Sequence, residues 1–369
     1  MDIQVYLLCA AVLASIILSG VLTPYILLVS LTKRKVDKLD ERKIHSTYTP
    51  RLGGLGFLPV LFISAFPIWL FYLTSQASMA KSVWMETMSH LGFIVLALLI
   101  SYFIGVADDL REMDYRVKFV GQFLVSILLV LAGLKISDLA GVADLYALPT
   151  WVSVWITIVV IMLVVNSINL IDGIDGLAAG LGGIALLYYG CFFFALQNFT
   201  YALMAFAMLG VVLSFFYYNV FGYKKRTIFM GDTGSISLGL LLAIFAIRLS
   251  TQLSQDTKLP GNPLLLAFVP LLIPGLDLIR VFIHRLRTHK HPFKPDKNHI
   301  HHKMLVLGIS QHETLGIILF LSFGYILSNV LMTKAEMPVN LILGVDIISY
   351  TLLNIRLTQK IKRQKNIIK

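Results

Sequence analysis

The sequence predicts an all-α polytopic membrane protein of about 11 transmembrane helices, N-terminus outside and C-terminus cytoplasmic. Three observations lead there. Apolar residues form 57% of the chain and mean hydropathy is +0.80. Charged residues are only 14%, against about 25% in soluble domains. The apolar residues also gather into runs, near 5–31, 55–74, 89–107, 117–134, 150–168, 177–196, 200–218, 235–250, 263–283, 314–331 and 339–355. Such runs approach the roughly 20 residues that cross a bilayer. The first is too long for the apolar region of a cleavable signal peptide. Cys9 and Cys191 both fall inside apolar runs, which speaks against a disulfide framework or a zinc site.

Orientation follows from where the cations lie. The intervals 33–54, 108–118, 219–232, 284–311 and 356–369 hold 25 of the 31 Lys and Arg. The opposite intervals hold Lys81, Lys135, Lys258 and Lys334, with Arg248 near a helix end. Positive loops stay in the cytoplasm, so the loops near 33–54, 108–118, 169–176, 219–234 and 284–311 are assigned inside, with the tail 356–369. The net charge of +11 is thereby explained by topology, and no nucleic-acid partner is expected. Residues 1–369 are read as one integral membrane domain.

The polar motifs fall on that same side. The first loop carries Lys43, His45 and then Pro50-Arg51-Leu52-Gly53-Gly54. A basic juxtamembrane segment binds anionic headgroups, but glycines beside an arginine also let backbone approach a ligand while the guanidinium grips phosphate in a fork. The third run ends in Asp108-Asp109, followed by Arg111, Arg116 and Lys118. Adjacent carboxylates bind a divalent metal or share a proton. As a helix cap, one of them would suffice.

Between the fifth and sixth runs lies Asn166-Ser167-Ile168-Asn169-Leu170-Ile171-Asp172-Gly173-Ile174-Asp175-Gly176. Its polar residues recur every third position. On a helix each such step leaves neighbours about 60° apart, so one unbroken helix cannot aim all four to one side. Gly173 and Gly176 are the expected break. Asp175 as a simple N-cap is the plainer alternative. Carboxylates without adjacent bases at membrane depth are costly and mark function.

Further on, Phe229-Met230-Gly231-Asp232-Thr233-Gly234-Ser235 turns straight into an apolar helix. Exposed amides at such a start suit phosphate, and Asp232 suits Mg²⁺. Asp277 and Arg280, three residues apart, read as an intrahelical ion pair. The last large loop holds His289, His291, His299, His301 and His302 among six basic residues. Clustered histidines can bind zinc, but no cysteine accompanies them and cations repel a metal, so an anionic ligand is the preferred reading.

These motifs resemble those of the bacterial polyprenyl-phosphate N-acetylhexosamine-1-phosphate transferases, the WecA/TagO/MraY group, over nearly the whole chain. The first loop, with Asp37-Lys38, Arg42-Lys43, His45, Pro50 and Gly53-Gly54, resembles the WecA branch, as does Asp296 with His299-Ile300-His301-His302. The series Asn166, Asn169, Asp172, Asp175 and the Phe229-Met230-Gly231-Asp232 turn are shared more widely. Eleven helices also match that branch better than the ten of MraY.

The resemblance implies transfer of N-acetylhexosamine-1-phosphate, usually GlcNAc-1-phosphate, from a UDP-sugar to undecaprenyl phosphate. UMP leaves, and the lipid-diphosphate-sugar stays in the cytoplasmic leaflet of the inner membrane. It implies Mg²⁺, with Mn²⁺ as a substitute, held by Asp232 and Asn169. It matches Asp108 and Asp109 to the reacting centre and Lys118 to the pyrophosphate. Asp172 and Asp175 match nucleotide-pocket positions. His299, His301 and His302 match a loop on substrate phosphate or sugar, and Lys43, His45, Arg51 and Asn166 join the substrate-binding set. A homodimer is compatible with it.

Two paths fit the acidic pair. In one, an Asp is a covalent nucleophile. In the other, the lipid phosphate attacks directly and the protein supplies alignment and charge neutralisation. A phosphate monoester with a second pKa near ~6 is mostly dianionic at pH 7 and needs little deprotonation, which favours the direct path. A secondary transporter also has many helices and buried acids, but its site lies near the midplane and its halves repeat. Here the motifs sit at one surface and no repeat is evident.

Overall fold

The computed structural model describes residues 2–32, 52–75, 81–222, 228–255, 262–289, 291 and 298–368. Lys43, His45 and Arg51 lie outside the described residues, as do 292–297 of the histidine loop. In chain order the α-helices are α1 Asp2–Thr32, α2 Phe57–Ser75, α3 Lys81–Arg111, α4 Tyr115–Leu131, α5 Thr150–Ile171, α6 Leu177–Ala195, α7 Phe199–Phe221, α8 Gly231–Gln255, α9 Pro263–Phe268, α10 Leu272–Arg287, α11 Ile300–Val306, α12 Gln311–Lys334 and α13 Val339–Ile368. This is the all-α polytopic membrane architecture that the apolar runs predict.

Among the described residues, ten spans are long and apolar enough to cross a membrane. The fourth expected run, 117–134, forms α4, 17 residues long and about 25 Å at 1.5 Å per residue. Its last turn closes at Ala132, and Gly133 turns the chain away with φ 86°. Asp114 starts α4 by accepting from the Arg116 amide, 2.8 Å. A Ser310–Glu313 capping box starts α12, satisfying donors that a helix start leaves orphaned.

The bundle is organised around α8. In its apolar span 83% of residues are buried, against 22% in α1 and 28% in α12. A helix that is apolar all round belongs inside a bundle. Helices α3, α5 and α6 pack along it, while α1 and α2 pack on α7. α3 comes closest near its end: a Cβ on Gly105 would lie 2.5 Å from Thr233 Cα. Glycine is therefore required there, and the contact brings the next turn of α3 onto the start of α8. A short 3-10 turn, Gly53–Gly56, joins the same end, with the Gly53 and Gly54 amides donating to Phe229 O and Met230 O at 2.9 and 2.8 Å.

Candidate active site

Where α3 meets α8, the two adjacent aspartates take different partners. Asp109 caps α8. Its Oδ1 accepts from the Asp232 amide at 2.8 Å; its Oδ2 accepts from the Thr233 amide at 2.9 Å and from Thr233 Oγ1 at 2.5 Å. The sequence reading left those amides for a phosphate; the structure corrects it, because Gly105 lets α3 approach closely enough for Asp109 to occupy them. Asp108 turns towards α4 instead. Its Oδ1 accepts from the Met113 amide at 2.7 Å and its Oδ2 pairs with Lys118. Lys118 Nζ is also 3.6 Å from Asp232 Oδ2. One ammonium thus stands between carboxylates of α3 and α8.

The third contribution is the break after α5. The helix ends at Ile171 and α6 begins at Leu177, with Gly176 left-handed at φ 80°. Glycine adopts that conformation without a Cβ clash. Asp175 does not cap α6: Gly176 holds the cap position, with no side-chain cap bond. The Gly176 amide donates instead to Asn219 Oδ1, whose Nδ2 donates to Ile228 O at 2.8 Å and reaches Asp175 Oδ1 at 3.4 Å. Asn219 so ties the break to the segment that leads into α8. Asn169 looks the same way, its Nδ2 donating to Asp232 Oδ1 at 2.5 Å and to Ser235 Oγ at 2.9 Å. Burial, followed by the charges of Asp175, Asp232 and Asp109, pushes the Asp172 carboxyl up to about 8.

The histidines close over this break. His301 is fully buried, and a Cβ on Gly173 would lie 2.1 Å from its Nε2. The ring stacks on His299 with centroids 5.8 Å apart and lies 4.2 Å from the His302 ring. Among the described residues, neither ring nitrogen of His301 has a hydrogen-bond partner. Burial, then the neighbouring His302 and His299, holds its imidazole down at about 3 and therefore neutral at pH 7. His299 is held from behind: its Nδ1 lies 2.8 Å from Asp277 Oδ2. Asp277 also accepts from Arg280 at 2.7 Å and from Tyr350 of α13 at 2.9 Å. The expected Asp277–Arg280 pair is present, but as part of a junction of α10, α11 and α13.

The structure therefore gathers Asp108, Asp109, Lys118, Asn169, Asp172, Asp175 and Asp232, with His301 lying against Gly173. Asn166 is turned elsewhere. Its Nδ2 donates to Gln122 Oε1 of α4 and to Met162 O, both at 2.7 Å. The step-of-three drift explains this, since α5 remains helical through both asparagines. Sequence reasoning missed Asn219, Gln122 and Tyr350. A lone Asn, Gln or Tyr in an apolar helix signals burial with a partner, but not which partner.

Comparison with known proteins now adds the family. Glycosyl transferase family 4 matches residues 90–250. A decaprenyl-phosphate N-acetylglucosaminephosphotransferase of Mycobacterium leprae is 31% identical over 304 residues, 78% of this chain and 73% of that protein. The chain belongs to this transferase family. A probable undecaprenyl-phosphate N-acetylglucosaminyl 1-phosphate transferase of Bacillus subtilis is 26% identical over 92% of this chain and 89% of its own length. The corresponding Yersinia pestis protein, named undecaprenyl-phosphate alpha-N-acetylglucosaminyl 1-phosphate transferase, is 28% identical over 77% of this chain and 73% of its own. The family 4 match contains every member of the acidic cluster, from Asp108 to Asp232, while the histidine motif lies beyond it.

Proposed function

We propose that the chain transfers N-acetylhexosamine-1-phosphate from a UDP-sugar to undecaprenyl phosphate, releasing UMP. GlcNAc-1-phosphate is the favoured group, because the relatives are named for N-acetylglucosaminyl phosphate. One observation carries the reading: Lys118 bridges Asp108 and Asp232 beneath a turn covered by neutral His301. Acidic side chains that exceed their cations suit a metal-bound diphosphate, and the ammonium suits the charge that appears on a leaving phosphate.

The donors fit a magnesium ion. Among the described residues no three His, Cys, Asp or Glu form a closed metal cage. Mg²⁺ does not need one, since it takes one or two protein oxygens and fills its shell with water and substrate phosphates. Asp232 would hold it, with the Asn169 side-chain oxygen beside it, because Asn169 Nδ2 is already engaged. When bound, the ion supplies charge neutralisation for the diphosphate.

The protein's own part is positioning. Asp109, with both oxygens accepting from the start of α8, is poorly suited to nucleophilic attack and fixes Asp232 instead. Asp108 stays beside Lys118, where it can orient the incoming lipid phosphate or take its residual proton. The lipid oxygen attacks the β-phosphorus directly, the bond to the α-phosphate oxygen breaks, and UMP departs. Lys118 accompanies the diphosphate. His299, His301 and His302 line the cover over the sugar phosphate, and Asp172 and Asp175 face the nucleotide. The basic loops orient this site to the cytoplasmic face of the inner membrane. The test is UMP release by purified protein with undecaprenyl phosphate and a panel of UDP-sugars. No release with any UDP-N-acetylhexosamine would remove the proposal.

A further inference from the structure

The helices that build the acidic site carry a second polar cluster at their far ends. Asp232 and Arg248 are 16 residues apart on α8, about 24 Å along its axis. His90 and Asp108 are 18 apart on α3, about 27 Å. Those distances approach the roughly 30 Å thickness of the hydrocarbon layer. Arg248 and His90 therefore stand near the headgroup level of the opposite leaflet.

Among the described residues, the buried Nε of Arg248 has no hydrogen-bond partner and no carboxylate pairs with its guanidinium. The guanidinium lies over the Tyr201 ring, 5.4 Å from the centroid. That ring is anchored, because Tyr201 Oη is 2.6 Å from His90 Nε2 while His90 Nδ1 donates to Ala132 O. Around these groups is a cavity of about 620 Å³, lined also by Ser89, Asn198 and Thr200, with no Asp or Glu among its described lining residues. A cation near the headgroup level faces anionic lipid phosphates, and a forked guanidinium matches their oxygens.

Beside that cavity lies a second space of different chemistry. An apolar groove of about 100 Å³ runs between α2, α3 and α7, lined by Phe66, Trp69, Val95 and Met204 among others. Leu91 and Thr200 line both spaces. Trp69 Nε1 donates to Thr200 Oγ1 at 3.2 Å, which fixes the shared wall. Phe66 at the groove is 56% exposed, so the groove is open on the lipid side. A polar cavity holding Arg248, continuous with an apolar groove along the membrane normal, has the shape of a lipid. Free phosphate has no use for the groove.

We propose that this is a binding site for an anionic lipid, with its phosphate on Arg248 and a hydrocarbon chain along Phe66 and Val95. It is separate from the acidic site and takes its ligand from the other leaflet.

Native mass spectrometry of the full chain in detergent tests this, with phosphatidylglycerol, phosphatidylcholine of the same chains, undecaprenyl phosphate and inorganic phosphate as separate probes. One phosphatidylglycerol or undecaprenyl phosphate should bind in an Arg248-dependent way, and whichever does so identifies the lipid class. Loss of a charge-assisted fork predicts about tenfold or more weaker binding in Arg248→Gln, with Arg248→Lys intermediate. Val95→Trp fills the groove while leaving the cation in place, and should weaken the same binding. Size-exclusion profiles identify any misfolded variant; if Arg248→Gln fails there, Val95→Trp decides. Equal lipid occupancy in wild type and the folded variants overturns the proposal. So does displacement of the bound lipid by inorganic phosphate alone, which marks a simple anion site.

Discussion

A single methyl group at position 173 should uncouple the histidines from the acidic turn. In Gly173→Ala the new Cβ would meet His301 Nε2 at 2.1 Å, whereas ordinary contact begins at 3.4 Å, so the ring must retreat by 1.3 Å. It has no open space to use, being fully buried between His299 and His302. Overpacking of this kind costs about 1–3 kcal/mol of stability. Activity should fall further, because a shift of ~1 Å at a reacting geometry costs roughly 10²-fold. Position 173 has no positive φ, so Ala itself is not strained there. The assay is kcat/KM for UMP release in a double-mutant cycle with His301→Ala. Once the ring is gone, Gly173→Ala should cost less than about threefold, a coupling near ~2 kcal/mol. A second full loss of about 10²-fold in the His301→Ala background would refute the contact as the cause.

Other perturbations follow from the same geometry. Asp232→Asn should leave the fold intact and cut turnover sharply, with at most partial rescue by excess Mg²⁺ or Mn²⁺, since a neutral amide is a poorer ligand; normal turnover at low Mg²⁺ removes Asp232 from the metal shell. UMP release should require undecaprenyl phosphate from the first turnover, and mass spectrometry of quenched protein should find no sugar-phosphate on Asp108 or Asp109; stoichiometric lipid-independent release with a labelled peptide contradicts direct displacement. Burial lowers His301 from 6.5 to about 3 in the fold, so the unfolded chain takes up this proton first on acidification. The stabilisation is complete above about pH 6.5 and is lost as pH falls towards about 3. His301→Asn should flatten the fall in thermal stability between pH 7 and 4, and an unchanged slope counts against a buried neutral imidazole.

What the sequence made legible was what depends on local pattern. The apolar runs mark the helices, and the step-of-three asparagines and aspartates with Gly173 and Gly176 mark the break. What it hid depends on contacts between distant segments. Asp109 looks like half of a reactive pair until Gly105 brings Thr233 within reach, 128 residues along the chain. Asn166 belongs to the same motif as Asn169, yet packs on Gln122 because a step of three residues turns its direction by about 60°. Asp277 showed its neighbour Arg280, while His299 and Tyr350 join it only through folding. Where α4 stops was also hidden, because hydropathy does not register where a turn ends a helix.

The unequal burial of the bundle divides the enzyme into a fixed frame and an adjustable rim. Asp232 is borne by the most enclosed of the described spans and clamped by Asp109, so a change in side-chain volume along α8 shifts the carboxylate proposed to hold the metal. The histidine motif hangs instead on Asp277, through polar contacts with α11 and the less enclosed α13. Changes in side-chain volume on α12 and α13, each 28% buried, therefore meet less resistance than changes on α8.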